Sequence, residues 1–425
     1  MKTISMYKLV ALFFVSLFFV GIHAQELQKT APEQVGLSTD RLEFLTKTFH
    51  DYVDHGELSG AVALVARKGK VAYLESFGKS DLENNVPMAR NSIFRIASQT
   101  KAIVSVGVMI LQEEGKLLIT DPVGKYMPAF METKVAVSKE DGSYDIVKAN
   151  RPITIRDLLT HTSGVSYGEG IAKDLWEKAN IQGWYFANRD EPIQATISRM
   201  AELPFDAQPG EQFIYGYNTD ILGALIEVVS GEPLDVFLQK NILDPLGMTD
   251  THFYLPMNKK GRLAVVYSAT EKGLERAPNP GGMVGQGAYV EGPRKSFSGG
   301  AGFLSTAMDY AKFLQMMLNK GTFNGKRIIS PKTVELMTVN HLGDIKYPWG
   351  EGTGFGLGFS TTENLGRRGV LGSEGEFGWG GAYHSTYWVD PKEELVVVYF
   401  TQLIPAGNID DHGKLRALVY QAFID

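Results

Sequence analysis

The first part of the chain carries two patterns of apolar residues with different periods. After Ser38, a residue type that caps helix N-termini, apolar side chains recur at helical spacing and stop near Gly56. Residues 61–66 and 71–77 are then mostly apolar and flank Lys68-Gly69, a pair typical of a tight turn. These patterns predict a helix followed by a β-hairpin.

The C-terminal part of the chain mirrors this arrangement. Two strands are predicted at Tyr383–Val389 and Leu395–Thr401, joined around Asp390-Pro391. The second strand is apolar without alternation, which is typical of a strand that is covered on both faces. A last helix is predicted from about Lys414 to Phe423. Together the two ends predict an α/β (α+β) fold, in which one antiparallel sheet is built from both chain ends and flanked by helices.

The middle of the chain is predicted to be an inserted, mostly helical sub-domain. Helical patterns run over Ala102–Glu114 and Thr219–Ser230, and Gly231 ends the second of them. A small hairpin is predicted around Asp141-Gly142, and loops are predicted over the glycine-rich residues 279–303. The predicted boundaries are a sheet sub-domain at about 33–100 and 300–425 and a helical insertion at about 101–299.

The N-terminus has the features of a signal peptide. Two lysines precede an apolar run from Leu9 to Val20, which is short for a membrane span, and Ala24 then offers a small-residue cleavage site. We expect a signal peptide over 1–24 and a mature hydrolase domain over 25–425, exported to a periplasm or secreted. An uncleaved N-terminal anchor is the alternative, and no second membrane span is predicted.

Composition narrows the possible functions. The chain has 425 residues, 44% of them hydrophobic and 21% charged, with a formal net charge of -6 and interspersed signs. It lacks the basic stripe of nucleic-acid-binding proteins, so no nucleic acid partner is expected. It has no cysteine, and its eight histidines show no metal-ligand spacing. Neither a metal nor another cofactor is predicted; the glycine-rich run Gly352–Gly358 lacks the dinucleotide-binding fingerprint. The sequence predicts no particular oligomeric state.

Ser98-Gln99-Thr100-Lys101 is the central chemical motif. Residues three apart lie on one face of a helix, so the Ser98 hydroxyl and the Lys101 amine can meet. The residues after Lys101 are apolar almost all round, which predicts a buried helix. Burial favours the uncharged amine, which can accept a proton from a serine. The motif therefore predicts a serine nucleophile at a helix N-terminus, with Lys101 as its base.

Two other serines fit short motifs but lie in unsuitable contexts. Ser76 and Lys79 repeat the spacing within a strand, where residues three apart point to opposite faces. Ser166 lies in Gly164-Val165-Ser166-Tyr167-Gly168, which fits the nucleophile elbow of α/β-hydrolases. That elbow needs a preceding strand, whereas Thr154 and Asp157 form a capping-box signature that opens a helix, with Gly164 as its stop. We therefore interpret both matches as coincidental.

Two further segments can complete a catalytic site. Tyr215 lies in the loop before the helix that starts near Thr219, and a lysine–tyrosine pair can share one mobile proton. The apolar C-terminal strand begins with Trp379-Gly380-Gly381-Ala382, where consecutive glycines allow a ligand to approach the backbone. We expect the N–H groups of Ser98 and Ala382 to form an oxyanion hole.

These motifs, taken in order, resemble the serine β-lactamase and penicillin-binding-protein superfamily. The similarity is closest to its class C β-lactamase-like branch, and within it to the family VIII carboxylesterases. Residues 153–164 and 298–310 also resemble stretches of that branch, and the similarity covers roughly residues 33–420. The resemblance implies that Ser98 is the nucleophile and Lys101 its partner, and that Tyr215 is the motif tyrosine.

The chain departs from the lactamase pattern at two places. The lactamases carry Asn two residues after the catalytic Tyr, where this chain has Tyr217 followed by Asn218. They also carry Lys-Thr-Gly where this chain has Trp379-Gly380-Gly381, so an indole replaces the ammonium that would bind an anionic group. Five residues are expected to contact the substrate: Tyr217, Asn218, Trp379, Gly380 and Gly381. Because the lysine is absent from this motif, we expect the substrate to be a neutral ester.

Three hypotheses of function follow from the sequence. The first is a serine hydrolase that cleaves carboxylic esters through an acyl-enzyme on Ser98, with Lys101 and Tyr215 as general base and acid. The second is a β-lactamase, or a D-amino acid peptidase or transacylase. The third is a non-catalytic, penicillin-receptor-like binding protein. A small-molecule ester or amide is the expected partner.

Overall fold

The computed structural model describes residues 27–425. The signal peptide predicted over residues 1–24 lies outside the described residues and stays a prediction. Within 27–425, no helix is long and apolar enough to cross a membrane.

The α-helices of the described chain are numbered in chain order. Most of them are shorter than four turns, and the longest lie at α1, α2, α6 and α9. They are α1 (Thr39–Asp54), α2 (Thr100–Glu113), α3 (Ile155–Leu159), α4 (Lys173–Lys178), α5 (Ile193–Met200), α6 (Asn218–Ser230), α7 (Leu234–Leu238), α8 (Asp244–Leu246), α9 (Ala307–Leu318), α10 (Pro331–Met337), α11 (Leu365–Arg368) and α12 (Asp411–Tyr420).

The β-strands belong to one large sheet and to several two-stranded ribbons. They are β1 (Gly60–Arg67), β2 (Lys70–Asp81), β3 (Val86–Pro87), β4 (Phe94–Arg95), β5 (Lys134–Ser138), β6 (Tyr144–Lys148), β7 (Tyr267–Thr270), β8 (Gly273–Arg276), β9 (Leu304–Ser305), β10 (Thr322–Phe323), β11 (Lys326–Arg327), β12 (Thr353–Phe355), β13 (Ser360–Thr362), β14 (Phe377–Gly381), β15 (Ser385–Asp390) and β16 (Leu395–Thr401).

The large sheet joins the two chain ends, as the sequence predicts. Its strand order is β12-β13-β14-β15-β16-β1-β2-β3, and its neighbours are antiparallel. The central pair is β1 with β16, in a register that places Val65 opposite Val397. The mixed fold with an antiparallel sheet flanked by helices is therefore confirmed.

Both faces of the sheet are buried, which explains why its central strands do not alternate. Val62 and Leu64 of β1 point into a core that contains the apolar side chains of α2 and α9. Ala63 and Val65 point into the opposite core, formed with α1 and α12. A strand covered on both sides needs apolar residues at every position.

The C-terminal segment corrects two predictions. The strand expected to begin at Trp379 is divided into β14 and β15, because the chain reverses at Ala382, Tyr383 and His384. His384 takes a left-handed φ of 62° in this turn, where the sequence has none of the usual turn residues. The last helix spans Asp411–Tyr420 and so begins three residues before the predicted start.

The middle of the chain is less helical than predicted. The helices expected around 102–114 and 219–230 are present as α2 and α6, and the hairpin around Asp141-Gly142 is present as β5 and β6. The same region also contains the β7–β8 ribbon and long loops. The capping box predicted at Thr154 and Asp157 is formed at the start of α3.

One half-buried histidine in this region, His252, predicts a pH dependence of stability. Burial, with a smaller effect of the neighbouring Lys259 charge, lowers the pKa of His252 to about 4. Lys259 Nζ donates to His252 Nε2 at 3.0 Å, which requires an unprotonated nitrogen. As the pH is lowered, the unfolded chain takes up a proton at about pH 6.5, whereas the folded chain does so only at about pH 4. The free energy of unfolding therefore falls as the pH is lowered from 6.5 to 4.

We expect His252→Gln to flatten this dependence. A full unit of pKa shift corresponds to about 1.4 kcal/mol, and partial solvent exposure reduces the expected effect to about 1–2 kcal/mol between pH 6.5 and 4. Urea unfolding of both proteins across this range measures the difference. The exposed His55→Gln is the control, and identical pH slopes for the wild type and His252→Gln would contradict the prediction.

Candidate active site

Ser98 lies in a short 3-10 turn, Ala97–Gln99, that leads directly into α2. Ala97 holds a left-handed φ of 43°, which is rare for a residue with a side chain and is found where surrounding structure fixes the backbone. The turn is anchored on both sides. Tyr310 Oη donates to the Gln99 carbonyl at 2.8 Å, and Gln99 Nε2 donates to Ser385 Oγ at 3.0 Å. Ser98 is therefore held half-buried at the head of the helix.

Lys101 is one turn further along and is only 2% exposed. Its Nζ has three oxygen neighbours: the Gly300 carbonyl at 2.8 Å, Tyr167 Oη at 3.1 Å and Ser98 Oγ at 3.3 Å. The predicted proximity of the Ser98 hydroxyl and the Lys101 amine is present. The amine is also enclosed, because α2 is buried from Thr100 to Leu111.

Tyr215 faces Lys101 with its ring. The Lys101 Nζ lies over that ring, 4.7 Å from its centroid. The Tyr215 hydroxyl accepts a hydrogen bond from Trp379 Nε1 at 3.2 Å. The structure thus brings the predicted Ser98, Lys101 and Tyr215 together, and Trp379 of β14 fixes the position of the phenol.

Tyr167 is a site residue that the sequence reasoning missed. Tyr167 lies in the Gly164–Gly168 segment, whose match to a nucleophile elbow we interpreted as coincidental. This segment nevertheless places the Tyr167 hydroxyl beside Lys101. Desolvation, with a contribution from Tyr215, raises the pKa of Tyr167 well above its usual range, so its hydroxyl stays protonated. Gly216 allows its loop to pack closely against the Tyr167 loop, because a Cβ at Gly216 would lie 2.4 Å from the Val165 carbonyl oxygen.

Asp220, on α6, supports the turn at Gly300 that contacts Lys101. Its Oδ1 accepts from Ser298 Oγ at 2.6 Å and from the Gly300 N–H at 3.0 Å. These two hydrogen bonds fix the turn that contains Gly300, whose carbonyl accepts a hydrogen bond from the Lys101 amine. Asp220 is fully buried, and burial raises its pKa, against the opposing effect of the Lys101 charge.

Gly381 brings β14 against the nucleophile turn. A Cβ at this position would lie 2.5 Å from the Ile96 carbonyl oxygen and 2.7 Å from Ser385 Oγ. Such contacts do not occur without displacement of one element. Gly380, Gly381 and Ala382 line the same cleft as Ser98, so the predicted oxyanion segment lies at the predicted place.

Tyr217 and Asn218 do not have the substrate-binding position that we predicted from sequence. Both are fully buried. Tyr217 Oη donates to the Gly183 carbonyl at 2.8 Å, and Asn218 Nδ2 lies 2.9 Å from His161 Nδ1. Because they start α6, their side chains turn inward and support the loops of the site.

The rival serine has no lysine or histidine hydrogen-bonded to it among residues 27–425. Ser166 follows α3 in a loop, as predicted, and its Oγ accepts from the Gly168 N–H at 3.1 Å. Helix α3 ends at Leu159, five residues before the expected stop at Gly164. His161 is buried against Tyr215, and burial holds its pKa well below the usual range, so it is uncharged.

The cleft above Ser98 has a volume of about 480 Å³. Its walls are mostly aromatic, and no lysine, arginine or carboxylate lines it among the described residues. An anionic substrate group would find no formal countercharge on these walls. Its aromatic lining consists of Tyr167, Trp184, Tyr215, Tyr347, Trp349 and Trp379.

Comparison with known proteins agrees with this geometry. Residues 45–420 match the family described as Beta-lactamase. The chain belongs to the Beta-lactamase family. The match begins within α1 and covers every strand of the large sheet and every residue of the site above.

Three members of this wider family show the range of similarity. Protein Rv1367c of Mycobacterium tuberculosis is 34% identical over 375 residues, 85% of this chain and 90% of that protein. Esterase EstB of Burkholderia gladioli is 31% identical over 380 residues, 85% of this chain and 91% of EstB. The solved structure of EstCE1, a hydrolase with promiscuous acyltransferase activity, has a TM-score of 0.77 at 26% identity and covers 90% of this chain and 99% of its own. Family membership and esterase relatives support a serine hydrolase.

We expect Gly381→Ala to reduce kcat by about 10²-fold or more. The added Cβ forces β14 away from the Ser98 turn, and the loss of one oxyanion-hole donor typically costs that much. Steady-state hydrolysis by the purified protein measures the change, with circular dichroism to confirm folding. Gly261→Ala is the control, because nothing lies within 4 Å of its Cβ position. A folded Gly381→Ala variant with wild-type kcat would refute this role.

Proposed function

We propose that this protein is a carboxylesterase that forms an acyl-enzyme on Ser98. The observation that carries the proposal is the enclosed Lys101 amine 3.3 Å from Ser98 Oγ, at the base of an aromatic cleft without formal charge. An activated serine supplies the nucleophile, and an uncharged cleft suits a neutral ester.

The hydrogen bonds of Lys101 support its role as the base. An uncharged amine has two N–H groups and one lone pair. The Gly300 carbonyl and the Tyr167 hydroxyl offer two acceptors for the N–H groups. The third neighbour, Ser98 Oγ, is then left facing the lone pair. In this state the Ser98 hydroxyl donates its proton to Lys101 as its oxygen attacks the ester carbonyl.

The remaining steps use the segments around this pair. The N–H groups of Ser98 and Ala382 stabilise the negative charge that develops on the carbonyl oxygen. Tyr215 donates its hydroxyl proton to the departing alcohol and takes the proton that Lys101 received from Ser98, while Tyr167 holds the amine in place. Water then attacks the acyl-enzyme by the reverse route and releases the acid. Hydrolysis of the ester consumes one water and yields one acid and one alcohol.

The nature of residue 379 favours esters over β-lactams. Trp379 occupies the place at which the resembling lactamases carry the lysine of Lys-Thr-Gly, and its indole is engaged with Tyr215. A β-lactam or a peptide with a free carboxylate would meet an aromatic wall instead of an ammonium. The esterase relative EstB, at 31% identity, supports the same choice.

Acyl transfer to an alcohol is a second candidate. The aromatic walls disfavour water and favour an organic acceptor, and EstCE1 is described as a hydrolase with promiscuous acyltransferase activity. The two candidates share the same acyl-enzyme and differ only in what attacks it. Adding an alcohol to the ester assay and measuring the new ester separates them.

We expect purified protein to hydrolyse short-chain p-nitrophenyl esters, with a much smaller kcat/KM on β-lactams. Ser98→Ala should abolish turnover, since it removes the nucleophile, whereas Ser166→Ala should retain it. Intact-mass detection of the acyl adduct, mapped to its residue, checks the intermediate. Turnover that persists in Ser98→Ala, or is far faster on a β-lactam, would reject the proposal.

The two tyrosines should differ in their effects. Tyr215→Phe removes the proton-transferring hydroxyl and should lower kcat by about 10²-fold or more. Tyr167→Phe removes one acceptor of the Lys101 amine and should lower kcat by about tenfold, as expected for one lost hydrogen bond. Rates on ethyl butyrate, whose alkoxide leaving group requires a proton, measure both changes. Wild-type kcat in Tyr215→Phe would exclude it as the general acid.

A further inference from the structure

Three side chains that the proposed mechanism does not use form a cluster at the cleft. His384 lies in the turn between β14 and β15, and His412 lies in the first turn of α12; both line the cleft that contains Ser98. Asp411 lies beneath them and is fully buried. Ligand atoms from the three residues lie within 4.8 Å of one another.

Hydrogen bonds fix the tautomer of both imidazoles. His384 Nε2 donates to Asp411 Oδ1 at 2.7 Å, and His412 Nε2 donates to the His384 carbonyl at 3.2 Å. Tyr399 Oη donates to the other oxygen of Asp411 at 2.7 Å, so the carboxylate is held as an acceptor. In the uncharged form of each ring these contacts place the proton on Nε2, and Nδ1 is then an acceptor without a partner among residues 27–425.

The backbone at His384 suggests that its side chain is there for a ligand. Its φ of 62° lies in the left-handed region, where glycine costs nothing and a side chain is unfavourable. The turn itself would be satisfied by glycine. Unfavourable backbone conformations of this kind concentrate at ligand sites.

A shared metal ion does not fit this arrangement. The two rings are stacked, with centroids 4.1 Å apart and planes only 15° from parallel. A metal binds an imidazole nitrogen in the plane of the ring, along its lone pair. Two nearly parallel planes at this separation have no common point close to both nitrogens, and the Nε2 atoms are already committed. The cluster therefore does not hold one ion between both rings.

Two stacked acceptors above a buried carboxylate fit a ligand that donates two hydrogen bonds. The negative charge of Asp411 disfavours an anion, and the fixed tautomers leave no N–H directed to a ligand acceptor. Neighbouring hydroxyls of glycerol or a sugar have a separation comparable to that of the rings. We propose that His384 and His412 form a polyol subsite, so that the preferred substrates are esters of hydroxyl-bearing alcohols. This proposal rests on the proposed esterase function.

The first test compares two esters of similar size. In the wild type, kcat/KM for 2,3-dihydroxypropyl butyrate should exceed that for pentyl butyrate by about tenfold or more, because the alkyl ester leaves two half-buried acceptors of the cleft wall without a donor. His412→Phe keeps a ring for stacking but removes Nδ1, and His384→Gly suits the left-handed backbone. Each variant loses one of the two acceptors, so its ratio should fall by about threefold or more.

Using the ratio within each variant cancels a general loss of activity. Titration of Ser98 with a fluorophosphonate corrects for the fraction of folded enzyme. A wild-type ratio within twofold of unity would overturn the proposal, and so would an undiminished ratio in both variants. A larger kcat/KM for the ammonium-bearing choline butyrate than for the dihydroxypropyl ester would overturn it in favour of a cation subsite.

A second measurement separates failure of the subsite from failure of the esterase function. In protein labelled with ¹⁵N-histidine, glycerol should shift the Nδ1 signals of two imidazoles, identified by their loss in His384→Gly and His412→Phe. Absence of any shift would overturn the subsite even if both esters are hydrolysed. If glycerol shifts these signals while no ester is turned over, the subsite stands and the proposed function fails.

Discussion

The enclosure of one amine organises this structure. Lys101 has a Gly300 carbonyl, a tyrosine hydroxyl and a serine hydroxyl as neighbours, and helix α2 around it is buried on nearly every side. A lysine in water would keep its proton and would be useless as a base towards serine. The structure keeps this amine away from solvent and directs it at the Ser98 hydroxyl, which is the geometry that proton transfer from the serine requires.

The large sheet positions the residues of β14 that line the site opposite Lys101. Pairing of β1 with β16 aligns the C-terminal strands beside the nucleophile turn, and Gly381 lets β14 approach the Ile96 carbonyl closely. Trp379 on the same strand then reaches Tyr215. Strand β14 thus carries the residue that positions the phenol and leads directly into the turn that contains the proposed oxyanion donor, Ala382.

Much of this could be predicted from sequence, for physical reasons. The unbroken apolar run of β16 indicated burial on both faces, and the apolar surroundings of Lys101 indicated an enclosed amine. The β14–β15 turn could not be predicted, because Ala382, Tyr383 and His384 are not typical turn residues. Tyr167 was missed because no local pattern links it to Lys101; only the fold brings residues 66 positions apart together. The burial of Tyr217 and Asn218 likewise depends on how α6 is rotated, which short motifs do not determine.

The union of the two chain ends has a consequence for how the active site comes into being. Val65 finds its partner, Val397, more than three hundred residues later, and such distant contacts form slowly because a long loop must close first. A nascent chain that already contains Ser98, Lys101 and Tyr215 still lacks β14 and β16. Such a partial chain has no Trp379 against the phenol and no Ala382 amide near the serine. The hydrolase is therefore inert until its last strands have been made.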